Sequence, residues 1–215
     1  MSQQRALAFM LSIHLLMLVS CAHRPEGQTV DASTAALLPD ELTVEEEKQA
    51  VALAEGALRE KGLRTTDKLY VVGKELFRDK EAVEKGIQER KALVTHYRYD
   101  GDLAILTTVN LTRQTVINIE TIPHLPTSLA PEEFEQAKSL AFKDREVKRI
   151  IANYEDRLRI EGLVTRASSA EDPLFGHRVV TLLFRVGADY LSTPPVMVDL
   201  TTETVIIETS TPSIN

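Results

Sequence analysis

The feature that most constrains the fold is an internal repeat. Residues 42–54 and residues 129–141 are identical at seven of thirteen positions, at an offset of 87. Residues 109–117 and 198–206 match at six of nine positions, at an offset of 89. Because two separate blocks recur at nearly the same spacing, the sequence predicts two copies of one module arranged in tandem.

Each module is predicted to begin with a helix. Thr43 followed by Glu46 has the spacing of a capping box, and Gly62 is placed to end the first helix. Pro131 suits the first turn of the helix that opens the second module. Asp144 is placed to cap a second, shorter helix in that module.

Four strands are predicted after the helical part of each module. Asp100-Gly101 is a strong hairpin signal, and apolar residues alternate along the strand that begins at Leu103. Pro194-Pro195 interrupts one strand, which predicts a bulge or an edge position there. The sequence thus predicts an α+β fold, with a four-stranded antiparallel sheet on a helix, made twice. The predicted strands are 68–77, 90–99, 103–111 and 115–122 in module 1, and 158–166, 177–186, 190–200 and 204–208 in module 2.

The single cysteine, Cys21, ends a short apolar run. Arg5 supplies a positive flank, and the apolar stretch from Ala6 to Val19 has the length of a signal-peptide core. A small residue, Ser20, immediately before Cys21 resembles the lipobox of bacterial lipoproteins. That resemblance implies cleavage between Ser20 and Cys21 and lipid attachment to the cysteine sulfur. A plain secretory signal with a chance cysteine, or a buried N-terminal helix, are the alternatives.

Four segments follow from these patterns. Residues 1–20 are predicted to be a lipoprotein signal peptide, and residues 21–40 the lipidated cysteine and a flexible tether. Residues 41–125 and 126–215 are predicted to be the two α+β modules. Ala22 after the cysteine is not aspartate, so the resemblance implies the outer membrane, facing the periplasm.

The charge balance bears on the partners. The full chain has 25 basic and 32 acidic residues, a net charge of −7. Removal of residues 1–20 would take away only Arg5, leaving a net charge of −8. An acidic chain does not suit nucleic acid or anionic lipid. We therefore expect the bilayer to hold the protein through acylated Cys21, and no nucleic acid to bind.

The repeat blocks resemble the two small N-terminal domains of copper amine oxidases. The resemblance rests on residues 90–94, residues 109–120, and residues 129–141 with Asp144 just after them, and on the proline-containing link at residues 123–126. It covers residues 41–155 well and the remainder more loosely. It implies a cystatin-like fold for each module and domains without chemistry of their own.

The catalytic signatures of that family are not matched. Its catalytic domain needs several hundred further residues. Asn153-Tyr154-Glu155 is similar to the motif of the tyrosine-derived cofactor, but Ile150 stands where a threonine is expected. We expect Tyr154 to pack in a helix, and we expect no catalytic residue, no cofactor and no metal site.

The remaining candidate residues are predicted to be structural. Among the histidines, His96 is predicted on the solvated side of its strand and His177 at the start of another; none is paired at metal-ligand spacing. The acidic runs at residues 45–47 and 132–133 fit the helix dipole better than acid–base chemistry.

The resulting functional hypothesis is a non-catalytic binding or scaffolding lipoprotein with a protein partner in the periplasm. An exposed sheet edge or the seam between the modules would be its binding surface. The alternatives are a small-ligand or copper-binding accessory protein, and an enzyme with an unrecognised site.

Overall fold

The first helix is held at both ends by its own sequence. The computed structural model describes residues 41–64, 68–78, 84, 86, 89–154 and 157–207. Helix α1 spans Val44–Glu60, and Thr43 and Glu46 form the predicted capping box at its start. At its end Gly62 has φ +65° and Leu63 N donates to Leu58 O, so the predicted glycine cap is confirmed.

Module 2 begins with two helices, as predicted. Helix α2 spans Pro131–Ala141 with the proline in its first turn, and helix α3 spans Arg145–Ile151. The Asp144 carboxylate accepts from the backbone N–H groups of Glu146 and Val147, which confirms the predicted cap. Tyr154 lies in a turn beyond the end of α3, so the prediction of a helical Tyr154 was wrong.

Each module has one antiparallel sheet, which confirms the α+β prediction. In sheet A the order is β1-β2-β3-β4, and in sheet B it is β5-β6-β8-β9, with β7 pairing β6. The strands are β1 (Leu69–Phe77), β2 (Lys91–Arg98), β3 (Leu103–Asn110), β4 (Thr115–Pro123), β5 (Leu158–Thr165), β6 (Val179–Val186), β7 (Asp189–Tyr190), β8 (Val196–Asp199) and β9 (Thr204–Ile207).

The two prolines divide one predicted strand. Pro194-Pro195 separates β7 from β8 because proline has no N–H to donate to a ladder. The interruption was predicted, but an edge position was not borne out by the sheet order, since β8 lies between β6 and β9.

The repeat is visible in the turns as well as in the elements. The β3–β4 and β8–β9 hairpins each contain one residue with positive φ, Gln114 (56°) and Glu203 (60°), at equivalent positions. In each module the strand that precedes or neighbours this hairpin, β2 or β6, is also bonded to the hairpin turn near its start. Arg90 N donates to Thr112 Oγ1, and Arg178 N donates to Thr201 Oγ1. The two modules therefore share local geometry as well as topology.

Each module has its own apolar core between helix and sheet. In module 1, Ala50 and Ala54 of α1 pack on Val94 and Val109 of sheet A. In module 2, α2 and α3 pack on the β5, β6 and β8 side chains that alternate toward them. The face of sheet A that points away from α1 is covered around Tyr97. There Ala130 of module 2 packs against Tyr97 and Val72.

Gly162 marks a close approach of helix α2 to strand β5. A Cβ at residue 162 would lie 2.8 Å from Phe134 Cδ2 and 3.0 Å from Leu129 Cδ2. We expect Gly162→Ala to lower the free energy of unfolding by about 1–3 kcal/mol through overpacking. Gly56→Ala in α1, which meets nothing within 4 Å, should instead stabilise by up to about 1 kcal/mol. Urea unfolding of both variants checks this pair, and a stabilising Gly162→Ala would contradict the packing described.

Candidate interaction site at the seam between the modules

The seam between the modules contains a buried ion pair. Arg178 and Glu133 are both fully buried. Arg178 Nε donates to Glu133 Oε1 at 3.0 Å, and Nη2 donates to Oε2 at 2.8 Å. The guanidinium also donates to Thr127 Oγ1 at 2.9 Å and to Ser128 O at 2.6 Å. A bidentate pair with its remaining donors satisfied is the arrangement in which burial of two charges is tolerated.

Two tyrosines of module 1 contact this ion pair. Tyr99 Oη donates to Glu133 Oε1 at 2.8 Å, and the Arg178 guanidinium carbon lies 4.2 Å from the centre of the Tyr97 ring. Burial raises the pKa of Tyr99, and the negative charge of Glu133 raises it further. Both tyrosines therefore stay neutral and serve as hydrogen-bond donor and cation–π partner.

A second polar cluster surrounds Asp102 at the same seam. Tyr97 Oη donates to Asp102 Oδ1 at 2.8 Å, while Asp102 Oδ2 is bonded to Arg166 and, at 2.9 Å, to His124 Nδ1. Burial raises the pKa of Asp102, but hydrogen bonds from Arg166, His124 and Tyr97 outweigh it and keep that pKa below its usual value. The imidazole of His124 remains about half exposed and stacks on Phe175, with 4.9 Å between ring centres.

The equivalent pair in module 1 has the same geometry but is only partly buried. Glu46 closes the capping box of α1, as Glu133 does at Ala130 N, and receives Arg90 Nε at 2.7 Å and Nη2 at 3.0 Å. Hydrogen bonding from Arg90 lowers the pKa of Glu46 to about 2. The acidic runs were predicted to serve the helix dipole, and Glu46 also to form a capping box with Thr43. The arginine partners were missed, although Arg90 and Arg178 stand at equivalent repeat positions.

A cleft opens beside these polar clusters, where α1, β1 and the start of α2 meet. Its volume is about 620 Å³. The floor is apolar, from Val51 on α1 and Val71 on β1, and the rim carries Glu55 and Glu132. β1 is the outermost strand of sheet A, and no described residue makes a backbone hydrogen bond to its outer side. The two predicted binding surfaces, the seam and a sheet edge, therefore coincide.

His96 lies elsewhere than the sequence indicated, whereas His177 lies near the start of β6, as predicted. His96 is 1% exposed, beneath α1 on sheet A, so its predicted solvated position was wrong. Around His96 and Tyr97 both faces of sheet A are covered, and the alternation of apolar and polar residues along a strand does not reveal this. His177 Nδ1 is bonded to Asp199 Oδ2 at 2.7 Å and helps hold the β8–β9 turn. His23, Ser20 and Cys21 lie outside the described residues.

The comparisons with known proteins support the fold. No protein family profile matches the chain, and no curated protein matches it by sequence. Among solved structures, it is similar to a copper-containing benzylamine oxidase from Hansenula polymorpha, with a TM-score of 0.51 and 16% sequence identity. The match covers 78% of this chain and 29% of that chain, so this chain spans less than a third of the oxidase. At this identity the likeness shows the fold alone.

The described residues do not fit a copper centre. Among them no three histidine, cysteine, aspartate or glutamate side chains come together to hold a metal. No helix in the described part of the chain has the length and apolar character that a membrane crossing requires.

Proposed function

We propose that the protein is a lipid-anchored, non-catalytic binding module, related in fold to the N-terminal domains of copper amine oxidases, that engages a protein partner at the membrane surface. The observation that carries this proposal is the cleft at the module seam. It combines an apolar floor, an acidic rim and an open strand edge in one place. These are the features of a surface that recognises a polypeptide.

The state of the seam side chains also favours binding over catalysis. The carboxylates of Glu133 and Asp102 are each held by an arginine and a tyrosine, so their capacity to accept hydrogen bonds is used within the protein. Such groups fix the relative position of the modules and thereby the shape of the cleft. A general acid or base would need to reach a substrate instead.

Anchoring gives the first test of this proposal. Cys21→Ser should abolish lipid attachment and move the protein from the membrane fraction to the soluble fraction. The physical reason is that each buried methylene of an acyl chain contributes about 0.8 kcal/mol to membrane binding. Fractionation with mass spectrometry of the N-terminal peptide measures this, with Ser20→Ala, which keeps a small residue before the cysteine, as the control. A Cys21→Ser protein that still sediments with membranes would contradict the anchor.

Partner binding is tested separately, on the anchored protein in its own membranes. Chemical crosslinking followed by mass spectrometry should identify one reproducible partner protein joined to the elements that line the cleft, which are α1, β1 and the start of α2. Recovery of no crosslinked partner, from cells where the protein is abundant and folded, would count against the binding function.

A further inference from the structure

We infer that the seam cleft binds an extended segment of a partner polypeptide, which adds as a fifth strand beside β1 and alternates apolar with basic side chains. This inference rests on the proposed function and specifies the chemistry of its partner. Three observations carry it. No described residue pairs with the outer edge of β1, a strand added there would meet different residues on its two faces, and one of those faces would meet negative charge.

The edge of β1 provides the backbone contacts. Among the described residues β1 pairs only with β2, and its register shifts between Val71 and Gly73. The shift divides β1 into two regular runs, and the first run, Leu69–Val71, lines the cleft together with the residues of the shift and Lys74. An extended segment placed along this run can form ladder hydrogen bonds without displacing any described part of the chain.

One face of the added strand would meet apolar groups. Val71 belongs to the core under α1, and Val51 of α1 stands opposite it across the cleft. The neighbouring surface of α1 continues along Val44 and Ala52, with Val44 61% exposed. Side chains that point toward α1 should therefore be apolar, because they would cover surface that is otherwise exposed to water.

The other face would meet negative charge. Tyr70 points away from α1, toward the start of α2, where Glu132 is exposed. Burial raises the pKa of Tyr70, and the nearby glutamates raise it further. Because Arg178 binds Glu133 and Lys68 binds Glu203, Glu132 is the exposed carboxylate that this face offers to a partner.

Two lysines border β1, and each is already paired with a glutamate. Lys74 is bound to Glu47 at 2.6 Å, and Lys68, just before β1, is bound to Glu203 at 3.4 Å. Because successive residues of a strand point to opposite faces, the complementary segment alternates apolar and basic side chains.

The test uses the full-length chain and a short capped peptide in which valine alternates with lysine. Isotope-edited NMR of the full-length chain should show amide shifts confined to β1, the facing side of α1 and the start of α2. The same peptide with glutamate in place of lysine, or with methyl groups on alternate backbone nitrogens, should bind at least about tenfold more weakly, because it loses charge complementarity or ladder hydrogen bonds.

A matched pair of variants locates the charge. Glu132→Lys should weaken binding of the valine–lysine peptide about tenfold, whereas Glu135→Lys, on the same helix but outside the cleft, should change it less than about twofold. Equal effects of the two variants, equal binding of the methylated peptide, no binding at about 1 mM, or shifts outside the cleft would each overturn the inference.

Failure here is distinguishable from failure of the proposed function. If membrane crosslinking identifies a partner that the Glu132→Lys protein still binds with unchanged affinity, the strand-addition site is wrong and the binding function stands. If no partner is found at all, the function itself is wrong.

Discussion

Arg178→Met should lower the free energy of unfolding by about 3–5 kcal/mol, because it leaves the Glu133 carboxylate buried without its cation. Methionine keeps most of the stem that packs beneath Tyr97, so the loss reports the charge more than the volume. Urea unfolding at neutral pH measures the change.

The repeat supplies the matched control for this prediction. Arg90→Met removes the same bidentate partner from Glu46, but there the glutamate side chain is 24% exposed and water can replace part of the lost contact. We expect a cost of about 1–2 kcal/mol at that site, smaller than for Arg178→Met. A similar cost at both positions would mean that burial does not govern the strength of the pair.

A rescue variant distinguishes an unpaired charge from general disruption. Adding Glu133→Gln to Arg178→Met removes the stranded negative charge while keeping a side chain that can bond to Tyr99. The double variant should regain about half or more of the lost stability, because the main penalty is the uncompensated buried ion. A double variant that is less stable than Arg178→Met alone would contradict this explanation.

The second large effect is a loss of stability in acid that comes from His96. This side chain is 1% exposed, and neither ring nitrogen has a hydrogen-bond partner among the described residues. Burial lowers the pKa of His96 from 6.5 to about 4, with Glu55 opposing the change and Arg64 adding to it. The unfolded chain therefore binds a proton at His96 more readily than the folded chain does between these two pH values.

The direction of the pH dependence follows from that difference. Above pH 6.5 neither state is protonated at His96 and stability is unaffected by this group. As the pH falls from 6.5 to about 4, the unfolded state gains the proton first, and about 3 kcal/mol of stability should be lost. Urea unfolding at a series of pH values measures the slope.

Two variants separate the histidine from other acid-sensitive groups. His96→Leu should remove this part of the pH dependence, because leucine fills similar space without titrating. Thr107→Val, which replaces a fully buried hydroxyl that also lacks a described partner, should stabilise at every pH and leave the slope unchanged. An unaltered slope in His96→Leu would show that the acid sensitivity arises elsewhere.

The elements that could be predicted from sequence are those with local causes. The capping box at Thr43, the glycine at position 62 and the aspartate cap at position 144 act through hydrogen bonds to residues a few positions away, and all three are present. Seven of the eight predicted strands differ from the observed strands only at their ends, because their alternation and turn residues are also local; the eighth, 190–200, is divided into β7 and β8. Because the sequence repeats, the helix and strands predicted for one module could be assigned to the other as well.

The candidate site was only partly predictable for the opposite reason. The sequence indicated a seam or an edge as the binding surface, but not that both meet at β1, since that depends on where the start of α2 packs against sheet A. Tyr97, Tyr99 and Arg178 were not singled out. Apart from Asp102, which is five positions from Tyr97, the partners named here stand between 34 and 81 positions away along the chain, and no local pattern joins them.

The sequence by itself determined two modules of one design, each with a glutamate at the same capping position and an arginine at the same strand start. Tertiary structure alone decided that one of these pairs is fully buried beneath two tyrosines while the other is only partly buried, and that His96 lies inside. The physical reason is that alternation and capping specify which side chains share a face, whereas the covering of that face depends on contacts between distant parts of the chain.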